Sequence, residues 1–177
     1  MRKLIESTLV SLDGVIESPE RWAIFDDEAT QRSMQELDNY DAFVMGRITY
    51  ERFRHNWSAS GGNPYFDRIA AMPKYVASRS LDEVTWNASL LGPDIVKAIQ
   101  ELKAQPGKDL IKYGNSRLDA TLLRAQLVDE LRLWIMPVVV GNGQRIFEDV
   151  EASSLKLTLT DVSKLRNGSV VLTYVPA

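Results

Sequence analysis

Residues 44–49 read Val44-Met45-Gly46-Arg47-Ile48-Thr49, an apolar strand end followed by a glycine and by a helix start that carries a cation and a hydroxyl. Residues 112–117 repeat this plan as Lys112-Tyr113-Gly114-Asn115-Ser116-Arg117. A helix N-terminus presents unpaired N–H donors and a partial positive charge, and glycine lets a ligand approach the backbone closely. Both junctions are therefore typical of phosphate-binding turns, although glycine also follows many strands simply because turns need it.

The two junctions together favour a dinucleotide as the ligand. Parallel strands bring their carboxyl ends to one edge of a sheet, so two phosphate sites there would face one crevice. Ser78 and Arg79 follow a third apolar segment, and a hydroxyl beside a guanidinium matches the 2′-phosphate that distinguishes NADP from NAD. The residues thus predict NADP, even though neither junction is a G-x-G-x-x-G fingerprint or a P-loop.

Segments of strand and helix character alternate along the chain around these junctions. The predicted strands lie at Lys3 to Leu12, Ala42 to Met45, Tyr75 to Ala77, Asp109 to Tyr113, Leu131 to Ile135, Leu155 to Leu159 and Ser169 to Val175. The predicted helices run from Asp26 or Asp27 to Asn39, from Ile48 to Arg54, from Tyr65 to Ala71, from Pro93 to Pro106, and onward from a capping box of Ser116 and Asp119. Strands separated by helices pair in parallel, whereas a two-residue turn at Asn167-Gly168 makes the last pair antiparallel. We therefore predict an α/β fold with one mixed, mainly parallel sheet, helices on both faces and a C-terminal antiparallel hairpin.

Composition restricts the classes of function that remain. The 177 residues, 45% hydrophobic, predict a single domain over 1–177 that buries a sufficient core without disulfides or metals. The chain has no cysteine and one histidine, His55, which excludes thiol chemistry, cysteine-ligated metals and a two-histidine site within one protomer. We predict no metal site.

Charge and hydropathy also limit the partners. A net charge of −3 with scattered basic residues argues against a nucleic-acid binder. The apolar run from Leu133 to Val140 has eight residues, and a membrane span needs about 20. Glu6 interrupts the segment where a signal peptide would be continuously apolar. These features predict a cytoplasmic protein with a small-molecule substrate.

Five motifs, taken in order, resemble those of dihydrofolate-reductase-fold proteins, and more narrowly of the group related to the C-terminal reductase domain of the riboflavin-biosynthesis protein RibD. They are Ser11-Leu12-Asp13-Gly14, Met45-Gly46-Arg47-Ile48-Thr49-Tyr50-Glu51, Lys74-Tyr75-Val76-Ala77-Ser78, Leu127-Val128-Asp129-Glu130-Leu131 and Pro137-Val138-Val139-Val140-Gly141-Asn142-Gly143-Gln144-Arg145-Ile146-Phe147. The resemblance covers nearly the whole chain.

The resemblance implies a dihydrofolate reductase-like, NADPH-binding sheet and a homodimer. It assigns the cofactor-binding role to Gly46, Arg47, Thr49, Ser78, Arg79, Gly114, Asn115, Ser116 and Leu118. It also places the nicotinamide beside the segment from Leu9 to Gly14. The chain departs from the family at Gly114-Asn115-Ser116-Arg117, where Gly-Ser-Gly or Gly-Gly is common.

The catalytic acid is a second departure. Dihydrofolate reductases carry a carboxylate on the first helix, and alignment back from Met45 puts Thr30 at that position. We predict Asp27 as the substrate-side acid, with helix capping as the alternative role. The predicted substrate pocket consists of Asp13, Trp22, Phe25 and Thr30. Trp22 and Phe25 either stack on a planar heterocycle or close the core.

Three functions are compatible with these residues. The first is an NADPH-dependent reductase that transfers hydride to a small pterin-like or pyrimidine-ribosyl substrate. The second is a non-catalytic dimeric protein that binds a nucleotide or another ligand and has kept only the fold. The third is a true riboflavin-pathway enzyme, a 5-amino-6-(5-phosphoribosylamino)uracil reductase.

Overall fold

The computed structural model describes residues 1–58, 61–114, 116–150 and 155–177. Within these residues the strands are β1 (Leu4–Ser11), β2 (Tyr40–Gly46), β3 (Lys74–Ala77), β4 (Ala88–Leu90), β5 (Asp109–Tyr113), β6 (Glu130–Met136), β7 (Leu157–Lys164) and β8 (Val170–Pro176). The helices are α1 (Asp27–Glu36), α2 (Arg47–Trp57), α3 (Pro64–Ala71), α4 (Ile95–Ala104) and α5 (Arg117–Arg124).

The described strands form one sheet in the order β4-β3-β2-β5-β1-β6-β8-β7. The pairs from β4 through β6 are parallel, and β8 runs antiparallel to both β6 and β7. This confirms the predicted mixed, mainly parallel sheet with a C-terminal antiparallel hairpin. Because β2, β5 and β1 are adjacent and parallel, their carboxyl ends lie at the same edge of the sheet.

Local signals account for several element boundaries. Asp26 caps α1 by accepting a hydrogen bond from the Ala29 N–H. The predicted capping box is present at the start of α5, where the Asp119 carboxylate accepts from the Ser116 N–H. The sequence pattern does not predict the short strand β4, because its three residues are too few to show a periodicity.

The hairpin between β7 and β8 differs in detail from the prediction. Asn167 and Gly168 belong to a three-residue loop, closed by a hydrogen bond from the Leu165 N–H to the Ser169 carbonyl. Only Gly168 has a positive φ, of 85°, whereas a two-residue Asn-Gly turn needs positive φ at both positions. The Asn167 side chain instead accepts from the Ser169 N–H, which stabilises the longer loop.

Hydrophobic clusters cover both faces of the central strands. Successive side chains of a strand point to opposite faces, so neighbouring apolar residues separate into different clusters. The cluster beneath α4 and α5 includes Leu4, Val44, Ile99, Leu110 and Leu122. The cluster beneath α2 and α3 includes Ile5, Phe43, Tyr50, Ile69 and Ile111. Strands that are buried on both faces explain why these segments read as continuous apolar runs.

Lys74, the first residue of β3, is a buried cation. Its ammonium donates to the carbonyls of Ala70 (3.0 Å) and Met72 (2.7 Å) at the end of α3, and it lies 4.2 Å from the centre of the Trp86 ring. Only 1% of the residue is exposed. Burial lowers the pKa of Lys74 from 10.5 to about 8, because the charged form loses its hydration.

The lowered pKa predicts that stability rises at alkaline pH. Between pH 8 and 10.5 the unfolded chain holds a proton on Lys74 that the folded chain has released, so the free energy of unfolding increases with pH. Compared with a Lys74→Met variant, the wild type should gain about 3 kcal/mol over this interval. Urea denaturation of both proteins at several pH values measures the difference. A difference that stays constant with pH would contradict the prediction.

Candidate functional site

Three strand ends lie side by side at the carboxyl edge of the sheet. Gly46, the last residue of β2, is paired with Ala77 at the end of β3. On the other side β2 pairs with β5, whose last residue, Tyr113, precedes Gly114. A Cβ atom built on Gly46 would lie 3.9 Å from the Ser116 hydroxyl. The two glycine junctions that the sequence singled out are therefore neighbours in space.

The N-terminus of α2 has no side-chain cap. Gly46 is the N-cap residue and adopts an extended conformation, so the N–H groups of the first turn have no capping hydroxyl or carboxylate. Arg47 is exposed in this turn and pairs with Glu51 at 2.9 Å. Thr49 is half-buried in the same turn. This helix start concentrates hydrogen-bond donors and positive potential beside the crevice.

The N-terminus of α5 is capped by the protein itself. The Ser116 hydroxyl accepts from the Leu118 N–H (3.3 Å) and donates to the Asp119 carboxylate (3.0 Å). Asp119 also accepts from the Ser116 N–H at 2.5 Å. The polar groups of Ser116 are thus engaged in the cap, and the Leu118 side chain packs on the α4–α5 cluster. Asn115 lies outside the described residues.

We call the turns that follow β2 at Gly46 and β5 at Gly114 the glycine corners. The end of β3 supplies a third turn at the same edge of the sheet. The Ser78 hydroxyl accepts from the N–H groups of Ser80 (3.2 Å) and Leu81 (3.0 Å), which makes a tight turn after the strand. Arg79 is exposed in this turn. Since β3 is adjacent to β2, the guanidinium of Arg79 and that of Arg47 follow neighbouring strands.

The central edge of the sheet is stepped. β5 ends at Tyr113, which is in register with Ser7, whereas β1 continues to Ser11 alongside β6. The Gly114 N–H donates to the Ser7 carbonyl, so the N–H and C=O groups of the odd-numbered residues of β1 point towards β5. Those of Leu9 point the same way, beyond the end of β5. This step leaves a backbone edge that can pair with an amide group of a ligand.

Asp13 ties two loops together at the same edge. Its carboxylate accepts from the Ser11 hydroxyl and from the N–H groups of Val140 (3.0 Å) and Gly141 (2.7 Å). These hydrogen bonds hold the pKa of Asp13 well below its ordinary value. A β-bridge between Val15 and Arg145 extends the connection. The loops after β1 and β6 therefore form one joined unit that borders the crevice.

The other predicted substrate residues lie around α1. Trp22 packs against the cluster that contains Ala29 and Trp134, and its indole N–H donates to the Glu17 carbonyl. Phe25 is 47% exposed and lies over the Trp134 ring at 6.2 Å between centroids. Asp27 and Thr30 are both exposed on α1. Leu9, which lies at the stepped edge, belongs to the same cluster. The two aromatic side chains therefore lie near this edge, on the face of the sheet that the cluster covers.

Two further features of the site gave no clear signal in the sequence. The Tyr65 and Tyr113 hydroxyls meet at 3.3 Å, and burial raises the pKa of both, that of Tyr65 to about 12. Lys112 and Asp119 form a buried ion pair beneath Gly114. Each pair joins residues that are separate in the sequence, so no local motif identifies either of them.

A cleft of the described residues lies elsewhere, between α1 and the end of β7. It has a volume of about 690 Å³ and a charged lining that includes Arg32, Glu36 and Lys164. It is wide open and lies away from the glycine corners, so we assign the site from the strand ends instead. Among the described residues no group of His, Asp or Glu side chains is arranged to hold a metal, and no helix is long and apolar enough to span a membrane.

The strand order and the glycine corners define the class as a dihydrofolate reductase-like α/β protein. Within this class, the family model of the RibD C-terminal domain matches residues 2–171. The chain therefore belongs to the RibD C-terminal domain family, and this membership supports a reductase-type function.

Solved structures agree on the fold. A putative riboflavin biosynthesis protein from Shewanella sp. PV-4 is 22% identical, with a TM-score of 0.78 over 100% of this chain and 99% of its own. The Thermotoga maritima diaminohydroxyphosphoribosylaminopyrimidine deaminase/5-amino-6-(5-phosphoribosylamino)uracil reductase is 14% identical, with a TM-score of 0.71 over 99% of this chain and 57% of its own. Enterococcus faecalis dihydrofolate reductase, complexed with NADP(H), is 14% identical, with a TM-score of 0.64 over 98% of this chain and 96% of its own.

Proposed function

We propose that this protein is an NADPH-dependent reductase that transfers hydride to a small pterin-like or pyrimidine-ribosyl substrate, and that it works in the cytoplasm. The observation that carries the proposal is the convergence of the ends of β3, β2 and β5, with the uncapped helix start at Gly46 beside Ser116. An anion placed there meets backbone N–H groups and the Arg47 guanidinium.

The residues present fit a nicotinamide dinucleotide. A Cβ atom on Gly114 would meet no described atom within 4 Å outside the residues next to it in the chain, which supports the approach of a ligand to this backbone. Gly46, Arg47 and Thr49 would hold the pyrophosphate or the 2′-phosphate, with Ser78 and Arg79 on the neighbouring strand. The backbone of Leu9 would pair with the carboxamide. When bound, the cofactor supplies the hydride, and the protein supplies alignment and exclusion of water.

The substrate side is proposed to lie between α1 and the sheet. Trp22 and Phe25 offer aromatic surface for a planar heterocycle near Leu9. Asp27 or an ordered water would provide the proton. Asp13 borders the pocket by holding the two loops in place, because its own carboxylate is occupied by hydrogen bonds from the protein.

Thermal shift and turnover assays test the proposal. NADPH at 100 times its dissociation constant should stabilise the protein by about 2.7 kcal/mol, and NADH at the same concentration should stabilise it less. Oxidation of NADPH, followed by its absorbance, should then require a dihydropterin or the phosphoribosylamino-uracil precursor of riboflavin. Equal shifts with both cofactors, or none, would overturn the cofactor assignment.

A non-catalytic binding protein is the second candidate. The self-capped start of α5 and the Arg47–Glu51 ion pair favour it, because both reduce the number of donors available to a phosphate. This candidate predicts no oxidation of NADPH with any pterin or pyrimidine, whether or not a nucleotide binds.

We propose that two copies of the chain pair through one face of β6, β8 and β7. Opposed pairs on this face include Leu133 with Leu172, and Leu159 with Tyr174. A bulge at residue 160 returns Val162 to the same face. The apolar set is Leu133, Ile135, Leu159, Val162, Val170, Leu172 and Tyr174, and none of these belongs to a described hydrophobic cluster. An apolar sheet face of this kind is typical of an interface between identical subunits.

The introduction of positive charge on this apolar surface should yield a monomer. Leu159→Lys combined with Val162→Lys places two ammonium groups on the face, where Leu159 and Val162 are 47% and 56% exposed. Asp161→Lys is the matched control, because Asp161 lies on the same strand and points to the opposite face. Light scattering after size-exclusion chromatography should show a dimer for the wild type and the control. A double variant that remains dimeric would exclude this interface.

A further inference from the structure

A buried ion pair lies directly beneath the Gly114 corner. The Lys112 ammonium is 2.7 Å from Asp119 Oδ1, and the two side chains are 1% and 0% exposed. Glu6, which is in register with Lys112 on the neighbouring strand, is also fully buried. Burying two charges is costly, and an apolar pair of similar volume would often serve stability equally well. The pair therefore calls for a role other than stability.

The pair holds both ends of the turn that joins β5 to α5. Lys112 donates to the Gly114 carbonyl at 2.5 Å, and Asp119 accepts from the Ser116 N–H at 2.5 Å and from the Ser116 hydroxyl at 3.0 Å. Gly114, at φ 74°, thus has its carbonyl held by Lys112, while a Cβ built on it would meet no described atom within 4 Å outside its two chain neighbours. Each charged group thus combines an ionic contact with hydrogen bonds to this turn.

We propose that Lys112 and Asp119 are positioning residues, which hold Gly114 and Ser116 in the arrangement that receives the cofactor. This inference rests on the proposed NADPH site. The pair does not touch the cofactor; it sets the direction of the Gly114 carbonyl and the Ser116 hydroxyl, so that the corner faces the uncapped helix start at Gly46. A preorganised corner binds its ligand without the entropic cost of first ordering the turn.

The test replaces both charges together, since removal of one alone would leave an unpaired buried charge. In Lys112→Met/Asp119→Asn, Glu6 is also replaced by Gln, because its buried carboxylate lies in register with Lys112. The amide oxygen introduced at position 119 can still cap α5, but the Gly114 carbonyl loses its donor. The matched control is Lys103→Met/Asp129→Asn. Lys103 and Asp129 are 2.5 Å apart at the opposite end of the sheet, where Lys103 donates to a backbone carbonyl and Asp129 accepts from a backbone N–H.

The amide signals of the turn show whether it responds to the substitutions, and the NADPH affinity distinguishes a positioning role from a structural one. In the ligand-free proteins, the ¹H–¹⁵N signals of Gly114 and Ser116 should shift in the first variant and stay unchanged in the control. The dissociation constant for NADPH should rise roughly tenfold in the first variant only, as expected for a lost hydrogen bond to an organised site. Cooperative melting of both variants confirms that they fold; should the first not fold, Lys112→Leu, which also removes the donor to the Gly114 carbonyl, replaces Lys112→Met.

Each outcome decides the proposal. Unchanged NADPH affinity in the first variant overturns it, and so does an equal loss of affinity in both variants. Unchanged signals from Gly114 and Ser116 overturn it as well. If the wild type binds no NADPH, the proposed function fails, and the corner then has no cofactor to receive even where its signals respond to the substitutions.

Discussion

A Gly46→Val variant is expected to fold normally and to lose at least about 100-fold in affinity for NADPH, which corresponds to about 2.7 kcal/mol. Gly46 has a φ of −79°, which any residue can adopt, and its Cβ would be in ordinary contact range of the Ser116 hydroxyl at 3.9 Å. The added side chain would therefore occupy the crevice between the two helix starts rather than strain the backbone. Isothermal titration calorimetry measures the affinity.

Gly46 is a sharper probe of the cofactor site than Gly114. At Gly114 the positive φ would strain any side chain, so a loss of binding could follow from a rearranged turn. Gly61→Val is the control for replacing a glycine, because a Cβ at Gly61 meets no atom within 4 Å and lies outside the three strand ends. Wild-type affinity in the Gly46 variant would show that the cofactor does not approach this corner.

Replacing Arg47 with alanine should weaken the binding of NADPH by about 1.5 to 3 kcal/mol, the usual range for a lost charge-assisted hydrogen bond. If the guanidinium contacts the 2′-phosphate, NADH affinity should change little. Arg54→Ala is the matched control, since Arg54 lies at the other end of α2 over the Tyr50 ring. An equal loss of affinity for NADPH and NADH would indicate that Arg47 contacts the pyrophosphate. No loss of affinity for either would show that Arg47 does not contact the cofactor.

The ion pair of Arg47 with Glu51 adds a second readout to the same experiment. Glu51 competes with a phosphate for the guanidinium, and the pair is exposed, so its own contribution to stability is small. Glu51→Gln should therefore bind NADPH slightly more tightly than the wild type and leave the melting temperature nearly unchanged. Weaker binding would indicate that Glu51 orients Arg47 productively.

Much of the fold was predictable because its signals are local. The Ser116 and Asp119 capping box, the strand at Asp109–Tyr113 and the antiparallel hairpin each follow from residue types at short spacing. The predicted two-residue turn at Asn167-Gly168 was wrong, because the Asn167 side chain forms a competing hydrogen bond that stabilises a three-residue loop. Such competition depends on which hydrogen bonds the surrounding strands leave available.

The sequence alone determined the order along the chain of the helices and of every strand except β4, the parallel character of the sheet and the two glycine junctions, because periodicity and turn chemistry are encoded within a few residues of one another. Only the tertiary structure decided which polar groups remain available to a ligand. It engages Asp13 with the loop after β6 and Ser116 with Asp119, and it leaves the start of α2 uncapped. A side chain's partners come from strands far apart in the chain, and their proximity is a property of the packed sheet.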